Sequence, residues 1–248
     1  MKMQFTTTAT ALALAAFMGT AMADTVKISG ASTVFNVVVQ GAKAAVEKNT
    51  GHTVQVLANN TGKGLVDLVD GASDAAMVSE PLDIAVEAAA VAGKKVDPKT
   101  LTVFELKKDE IVFVVNPANT VSKLSWEQIK DIHTGKITNW KDVGGKDLPI
   151  VVYADSVTGG TRAMIHRIVL GGADFGTGVK SQSSVKRAAE MVGTDPAGIA
   201  GVGKGFVEAG KGKVLETKKL ERPLSLVTLG QPKPAVKAVI DAFIKEAK

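Results

Sequence analysis

Three times along this chain, a short apolar strand runs into a turn of small polar residues and then into a helical pattern. The clearest case spans residues 150–170: an apolar run ends at Tyr153, turn residues follow, and apolar residues return at helical spacing from Met164. The same unit occurs around Ser32 and around Thr61. This alternation predicts an α/β fold, with mostly parallel sheets flanked by helices and the turns at the carboxyl ends of the strands.

The polar turns predict a site for a negatively charged ligand. The first N–H groups of a helix have no partner within the helix, and the helix dipole is positive at that end, so helix starts attract anions. Gly159 and Gly160 allow a ligand to approach the backbone closely. One such turn is equally compatible with an ordinary loop that binds nothing. The prediction requires that the three turns meet, and that Glu80 and Asp155 do not fill the space between them with negative charge.

The first 23 residues have the features of a signal peptide. Lys2 supplies a positive start, residues 10–18 form a short apolar run, and Ala21-Met22-Ala23 is a small-x-small cleavage pattern. We expect cleavage after Ala23 and export to the periplasm. The 248-residue chain contains no cysteine, which excludes disulfides, thiolate catalysis and cysteine-ligated zinc.

Charge and histidine content narrow the function further. The net charge of +5 suits an anionic partner, but the lysines are scattered and no basic stripe with interleaved aromatic residues occurs, so we predict no nucleic-acid binding. His52, His133 and His166 lack the spacing of metal ligands, so no metal and no cofactor are predicted.

An enzymatic alternative would use Ser156, His166 and Asp155 as a nucleophile set, or His133 as a base. Asp155 and Ser156 are adjacent, so their side chains diverge in an extended segment, and we predict no catalytic residue. Residues 61–64 resemble a phosphate-binding P-loop only faintly, because the required glycine spacing and the hydroxyl residue after lysine are absent.

Local patterns predict the remaining elements. Ser125 and Gln128 form a capping-box pattern that should begin a helix, and Trp126 and Trp140 are expected to pack as anchors. The lysine-rich stretch 211–222 is typical of a solvated surface. The predicted strands are 25–29, 53–57, 75–78, 101–106, 110–115, 198–202 and 224–229, with 110–115 as a central parallel strand, and the predicted helices are 34–48, 65–70, 83–92, 125–133, 162–170, 184–192 and 234–245.

Several segments also carry a family resemblance. They are Gly30–Val34, Ser79–Leu82, Asp109–Asn116, the distinctive stretch Ile132–Trp140, Val143–Gly145, Leu148–Val152, Gly160–Arg162 and Gly198–Val202. In these segments the chain resembles the periplasmic phosphate-binding proteins of ABC transporters.

The resemblance implies a two-lobed, type II periplasmic-binding fold. One lobe would comprise residues 24–115 and 203–248 and the other 116–202, with hinges near Asn116 and Val202. Such a protein, expected to be a monomer, would capture a small anion, with phosphate as the expected ligand, between the lobes and deliver it to a membrane ABC permease without catalysis. The ligand-binding residues implied are Ser32, Thr33, Thr61, Gly62, Lys63, Ser79, Thr158, Gly159, Gly160, Thr161 and Arg162.

The sequence departs from the family pattern at three places in the site. Gly159 stands where the family has a serine donor, Asp155 replaces an arginine, and Ser79 occupies a position where some members have an aspartate. Arg162 or Lys63 would have to compensate for the missing arginine. Another oxyanion or a small organic anion is therefore an alternative ligand, and a sensor or adhesion role is an alternative to transport.

Overall fold

The computed structural model describes residues 23–248, so the predicted signal peptide lies almost entirely outside the described residues. No helix in residues 23–248 is both long and apolar enough to cross a membrane. The nine strands of this part of the chain are β1 (Thr25–Ala31), β2 (Thr53–Asn59), β3 (Ala75–Val78), β4 (Leu101–Val115), β5 (Val151–Ala154), β6 (Lys180–Ser181), β7 (Gly198–Gly203), β8 (Lys213–Val214) and β9 (Leu220–Leu229).

The described residues also form eight α-helices. They are α1 (Ser32–Val34), α2 (Gln40–Thr50), α3 (Thr61–Val69), α4 (Leu82–Val91), α5 (Trp126–Thr134), α6 (Gly160–Met164), α7 (Val185–Thr194) and α8 (Pro234–Glu246). Two of them continue as single π-helical turns: α1 into Phe35–Val39, and α6 into Ile165–Val169. Residues 160–169 are therefore one unbroken helical stretch.

The strands form one mixed sheet in the order β2-β1-β3-β9-β4-β7-β5-β6, with β8 paired to β4. Pairs β1–β2, β1–β3, β5–β6 and β5–β7 are parallel, whereas β3–β9, β4–β9, β4–β7 and β4–β8 are antiparallel. The α/β class is confirmed, and the parallel pairs lie towards the two ends of the sheet. The centre is antiparallel because β4 and β9 run alongside each other in opposite directions.

The prediction of separate strands at 101–106 and 110–115 was wrong, as was the parallel pairing of the second. Both segments belong to β4, which is antiparallel to β7 and β9. The charged residues 107–109 separated the two predicted strands, but they lie in the β4–β9 ladder, where the register shifts between Glu105 and Lys107. A bulge of this kind bends a strand without ending it.

The buried side chains form separate clusters on the two sides of this bend. Leu106 and Leu224 join a core with β1, α2 and α8, including Phe243, whereas Ile111 and Leu220 join a core with α5 and the π-helical turn after α6. The chain therefore passes from one core to the other within β4 and β9. The lobe boundaries at 116 and 203 stay predictions.

Local signals account for several elements. Ser125 and Gln128 form the predicted capping box at the start of α5. Trp140 is buried and its Nε1 donates to the Ala197 carbonyl at 3.0 Å, as expected of an anchor. Trp126 donates to the Lys218 carbonyl at 3.1 Å, and the ammonium of Lys218 lies 4.7 Å from the centre of its ring.

Candidate anion-binding site

The three polar turns, which follow the carboxyl ends of β1, β2 and β5, meet one another. The backbone of Gly64 lies against Gly30, so close that a Cβ on Gly64 would stand 2.4 Å from the Gly30 Cα. The Gly62 N–H donates to the Thr158 carbonyl at 3.2 Å, which joins the second turn to the third. Glycine is needed at 62 and 64 because any side chain there would strike backbone.

Each turn leads directly into a helix. Asn60 caps α3 through its side-chain oxygen, which accepts from the Lys63 N–H at 3.0 Å. In the third turn, Gly159 is extended and α6 begins at Gly160. Thr61 and Thr161 are therefore first-turn residues of their helices, and both are buried.

Glu80 lies at the point where these elements converge. One carboxylate oxygen, Oε2, accepts three hydrogen bonds of 3.0 Å each, from the Thr61 hydroxyl, the Ser79 hydroxyl and the Ser79 N–H. The other oxygen, Oε1, is buried and has no hydrogen-bond partner among the described residues. The carboxylate rests against Gly160, where a Cβ would stand 1.8 Å from Oε2.

The surroundings of Glu80 change its acidity. Burial raises the pKa of the Glu80 carboxyl to about 7, although the hydrogen bonds from Ser79 and Thr61 and the charge of Arg222 act in the opposite direction. Glu80 is therefore poised to gain or lose a proton near neutral pH.

Asp155 is a second buried acid beside the third turn. Its Oδ1 accepts from the Ser156 N–H at 2.8 Å, and its carboxylate lies against Gly159, where a Cβ would stand 2.1 Å from Oδ2. Burial raises the pKa of the Asp155 carboxyl to about 6, opposed by the Ser156 N–H and by the charges of Arg222 and Arg162. The requirement that Glu80 and Asp155 leave this space free of acid is thus not met.

Arg222 supplies a fully buried positive charge. Its Nε and Nη2 donate to Asp109 Oδ2 at 2.9 and 2.8 Å, and its Nη1 donates to the Thr161 hydroxyl at 2.7 Å. The Arg222 side chain is 0% exposed and that of Asp109 is 9% exposed. The interpretation of residues 211–222 as a solvated surface was therefore wrong at its end, where β9 begins.

A signal for Arg222 was present in the sequence. Leu220, Arg222 and Leu224 alternate along β9 and are all buried, so Arg222 occupies an inward-facing position of a strand. The lysines that precede it obscured this period-two pattern.

The structure brings only some of the predicted residues to this centre. Seven of them lie around Arg222 and the carboxylates of Glu80 and Asp155: Thr61, Gly62, Ser79, Thr158, Gly159, Gly160 and Thr161. Thr33 is buried and Ser32 half-buried in the first turn, whereas the Lys63 side chain is exposed.

Arg162 does not replace the missing arginine by reaching Glu80. Its guanidinium stacks over the Phe175 ring at 4.4 Å, and its Nη1 donates to the Ser181 hydroxyl at 2.9 Å. Arg222 is the cation that lies inside the site, and it comes from a part of the sequence far from the turns.

The side chains considered for catalysis do not form a nucleophile–base pair. The Ser156 hydroxyl is buried and has no hydrogen-bond partner in the part of the chain that the structure describes. His133 packs edge-on against Phe113 and Phe175, and its Nδ1 lies 2.8 Å from the Ile129 carbonyl. Burial lowers the pKa of His133 to about 4, so its imidazole is neutral at physiological pH.

The chain is similar to several known proteins. The phosphate-binding protein PstS of Bacillus subtilis (strain 168) is 32% identical over 157 residues, which cover 63% of this chain and 50% of that protein. A putative phosphate ABC transporter substrate-binding protein from Clostridium perfringens, solved with bound phosphate, has a TM-score of 0.76 at 24% identity and covers 88% of this chain and 92% of its own. An ABC-type phosphate transport receptor from Vibrio cholerae has a TM-score of 0.68 at 24% identity, covering 89% and 93%.

These similarities agree with the resemblance found in the sequence, although the chain spans about half the length, or less, of three of the curated relatives that it matches. Residues 15–246 match the family described as the PBP superfamily domain. The protein therefore belongs to the PBP superfamily and has the type II periplasmic-binding fold.

Proposed function

We propose that this protein is a periplasmic solute-binding protein that captures phosphate between its two lobes and delivers it to a membrane ABC permease. It acts by binding alone, without catalysis, and works as a monomer after removal of residues 1–23. The curated relatives named for phosphate binding support this proposal.

One structural observation carries the proposal. Thr61 and Ser79 direct two hydroxyls and one backbone N–H onto a single carboxyl oxygen, Oε2 of Glu80, at 3.0 Å each. Such a donor set suits an oxyanion, because each bond to a charged acceptor is stronger than a bond between neutral groups. The buried guanidinium of Arg222 adds the positive charge that holds an anion in a site with little water.

Isothermal titration of the protein without its first 23 residues tests this function. We expect binding of phosphate and no binding of a neutral analogue such as glycerol. Parallel titrations with sulfate and a phosphate monoester define selectivity, and absence of heat with every anion would refute the proposal.

A second candidate ligand is a small organic acid. The anion held by the site's donors is a carboxylate, that of Glu80, so the donor set accommodates this group. Titrations with acetate, lactate and succinate distinguish this candidate, which requires that one of them bind more tightly than phosphate.

A further inference from the structure

Several donors of the candidate site are already occupied by the protein itself. Thr61 and Ser79 donate to the Glu80 carboxylate, and the Gly62 N–H donates to the Thr158 carbonyl. We propose that Glu80 is a tethered occupant of the anion site, and that a ligand binds by displacing its carboxylate. This inference rests on the proposed function, since it describes how the same site is filled and emptied.

The geometry around Glu80 is that of a ligand in its site. Its Oε2 accepts three hydrogen bonds from two separate elements, and the residue is 1% exposed. The missing side chain of Gly160 leaves the space that the carboxylate fills. An oxyanion cannot use the same donors while the carboxylate stays there.

The structure also offers a place for the displaced side chain. A cavity of about 90 Å³ lies beside Glu80, lined by Glu80 itself, Val103, Pro223 and Ser225 among others. The Ser225 hydroxyl is buried and has no hydrogen-bond partner among the described residues. A hydroxyl without a partner in a cavity next to a carboxylate is a suitable second donor for that carboxylate.

The charged groups around Glu80 give the displacement a pH dependence. Arg222 on β9 faces the carboxylate but is already paired with Asp109 on β4, Asp155 follows β5, and Glu105 of β4 lines the cavity. Ionised Glu80 is therefore a strong competitor and an additional repulsive charge, whereas its protonated form competes weakly. Affinity for an anion should fall as the pH rises from 6 to 8.

The test measures phosphate affinity at pH 8 for Glu80→Ala, Glu80→Gln and the unaltered protein. We expect phosphate to bind at least tenfold more tightly to Glu80→Ala, because the donors of Thr61 and Ser79 are free in that variant. Glu80→Gln should remove the part of the pH dependence of phosphate affinity that comes from Glu80. The part that comes from the titration of phosphate itself should remain. The control is Asp83→Asn, which removes an exposed acid from the first turn of α4 and should leave the affinity unchanged. Weaker binding by the Glu80 variants would overturn the proposal, because it would mean that Glu80 contributes to ligand binding.

A second measurement does not depend on phosphate. Formate supplies the carboxylate that Glu80→Ala lacks, so formate should raise the melting temperature of that variant and not that of the unaltered protein. If formate stabilises the variant but phosphate binds to neither protein, the proposed function fails and the tethered occupant stands. If phosphate binds to the unaltered protein but formate has no effect on the variant, the tethered occupant fails and the function stands.

Ser225 tests the place to which the carboxylate moves. We expect Ser225→Ala to weaken phosphate binding about threefold in the unaltered protein, because the displaced carboxylate loses its donor. The same substitution should have no effect in the Glu80→Ala background, where nothing is displaced. Equal effects in both backgrounds would contradict a role for the cavity.

Discussion

At the scale of single residues, the site depends on charges that are buried and incompletely balanced. Glu80, Asp155 and Asp109 bring three carboxyl groups to a region where Arg222 is the fully buried cation. Raised pKa values of Glu80 and Asp155 are the physical consequence, since a buried acid without a close cation favours its neutral form.

Replacing Arg222 by methionine should destabilise the protein strongly. Asp109 would be left as a buried charge without its partner, which typically costs about 3–5 kcal/mol. Denaturant unfolding measures the loss, and Asp109→Asn in the same chain should recover part of it. Lys219→Met is the control: its pair with Glu221 is exposed to solvent, so losing it should change stability far less than the loss of Arg222. Equal losses for the two single variants would contradict the assignment.

The raised pKa of Glu80 predicts how stability depends on pH. Between about pH 4.5 and 7 the folded protein holds a proton that the unfolded chain has released, so stability must fall as the pH rises through this range and level off above it. This change in the pKa corresponds to about 3–4 kcal/mol of stability. Unfolding of the ligand-free protein, compared with Glu80→Gln at each pH, isolates this contribution, and a difference that grows in the opposite direction would refute it.

At the scale of elements, glycines determine how closely the turns approach one another. Gly64→Ala would drive a Cβ into the backbone of Gly30, which cannot move aside like a side chain. We expect a loss of about 2–3 kcal/mol in unfolding free energy, in the upper range for overpacking. Gly41→Ala in α2 faces open space and should instead stabilise by about 0.5–1 kcal/mol. The pair is informative because both glycines lie in helices.

Elements with local signals were predictable from the sequence. The capping box of Ser125 and the apolar run of β3 depend only on neighbouring residues, and both agree with the structure. The same holds for the three polar turns. The start of β9 and the continuity of β4 were missed, because charged residues there are accommodated by a partner strand that is distant in sequence.

The centre of the site was the least predictable part. Glu80 follows Ser79 in a turn that looks exposed in the sequence, and its burial results from packing against Gly160, eighty residues later. Arg222 is buried because Asp109 lies opposite it in the β4–β9 ladder, where the two residues are paired. Neither relation is visible from spacing along one segment.

At the scale of the whole molecule, contacts beside the site link α3 and α4 to the third turn and the helical stretch that follows it. Arg167, in the π-helical turn after α6, pairs with Glu87 on α4 at 2.6 Å, and both side chains are about half-exposed. Together with the hydrogen bond from Gly62 to Thr158, this pair links residues 61–91 to residues 158–169.

Arg167→Ala should loosen this link without unfolding the protein. An exposed pair contributes about 0.2–1 kcal/mol, so amide exchange at Gly62 should accelerate up to about fivefold at low salt and hardly at all in 1 M salt. Exchange measured by NMR provides the readout. Arg187→Ala removes a comparable pair within α7 and serves as control, and acceleration by both variants would contradict a specific role for Arg167.

The path of the chain has a consequence for biosynthesis. Helix α8 follows β1 and α2 by almost two hundred residues, yet its buried side chains complete the core that they begin: Val236, Val239, Ile240 and Phe243. During synthesis, residues 25–50 can therefore bury their apolar face fully only after residues 234–246 have been made.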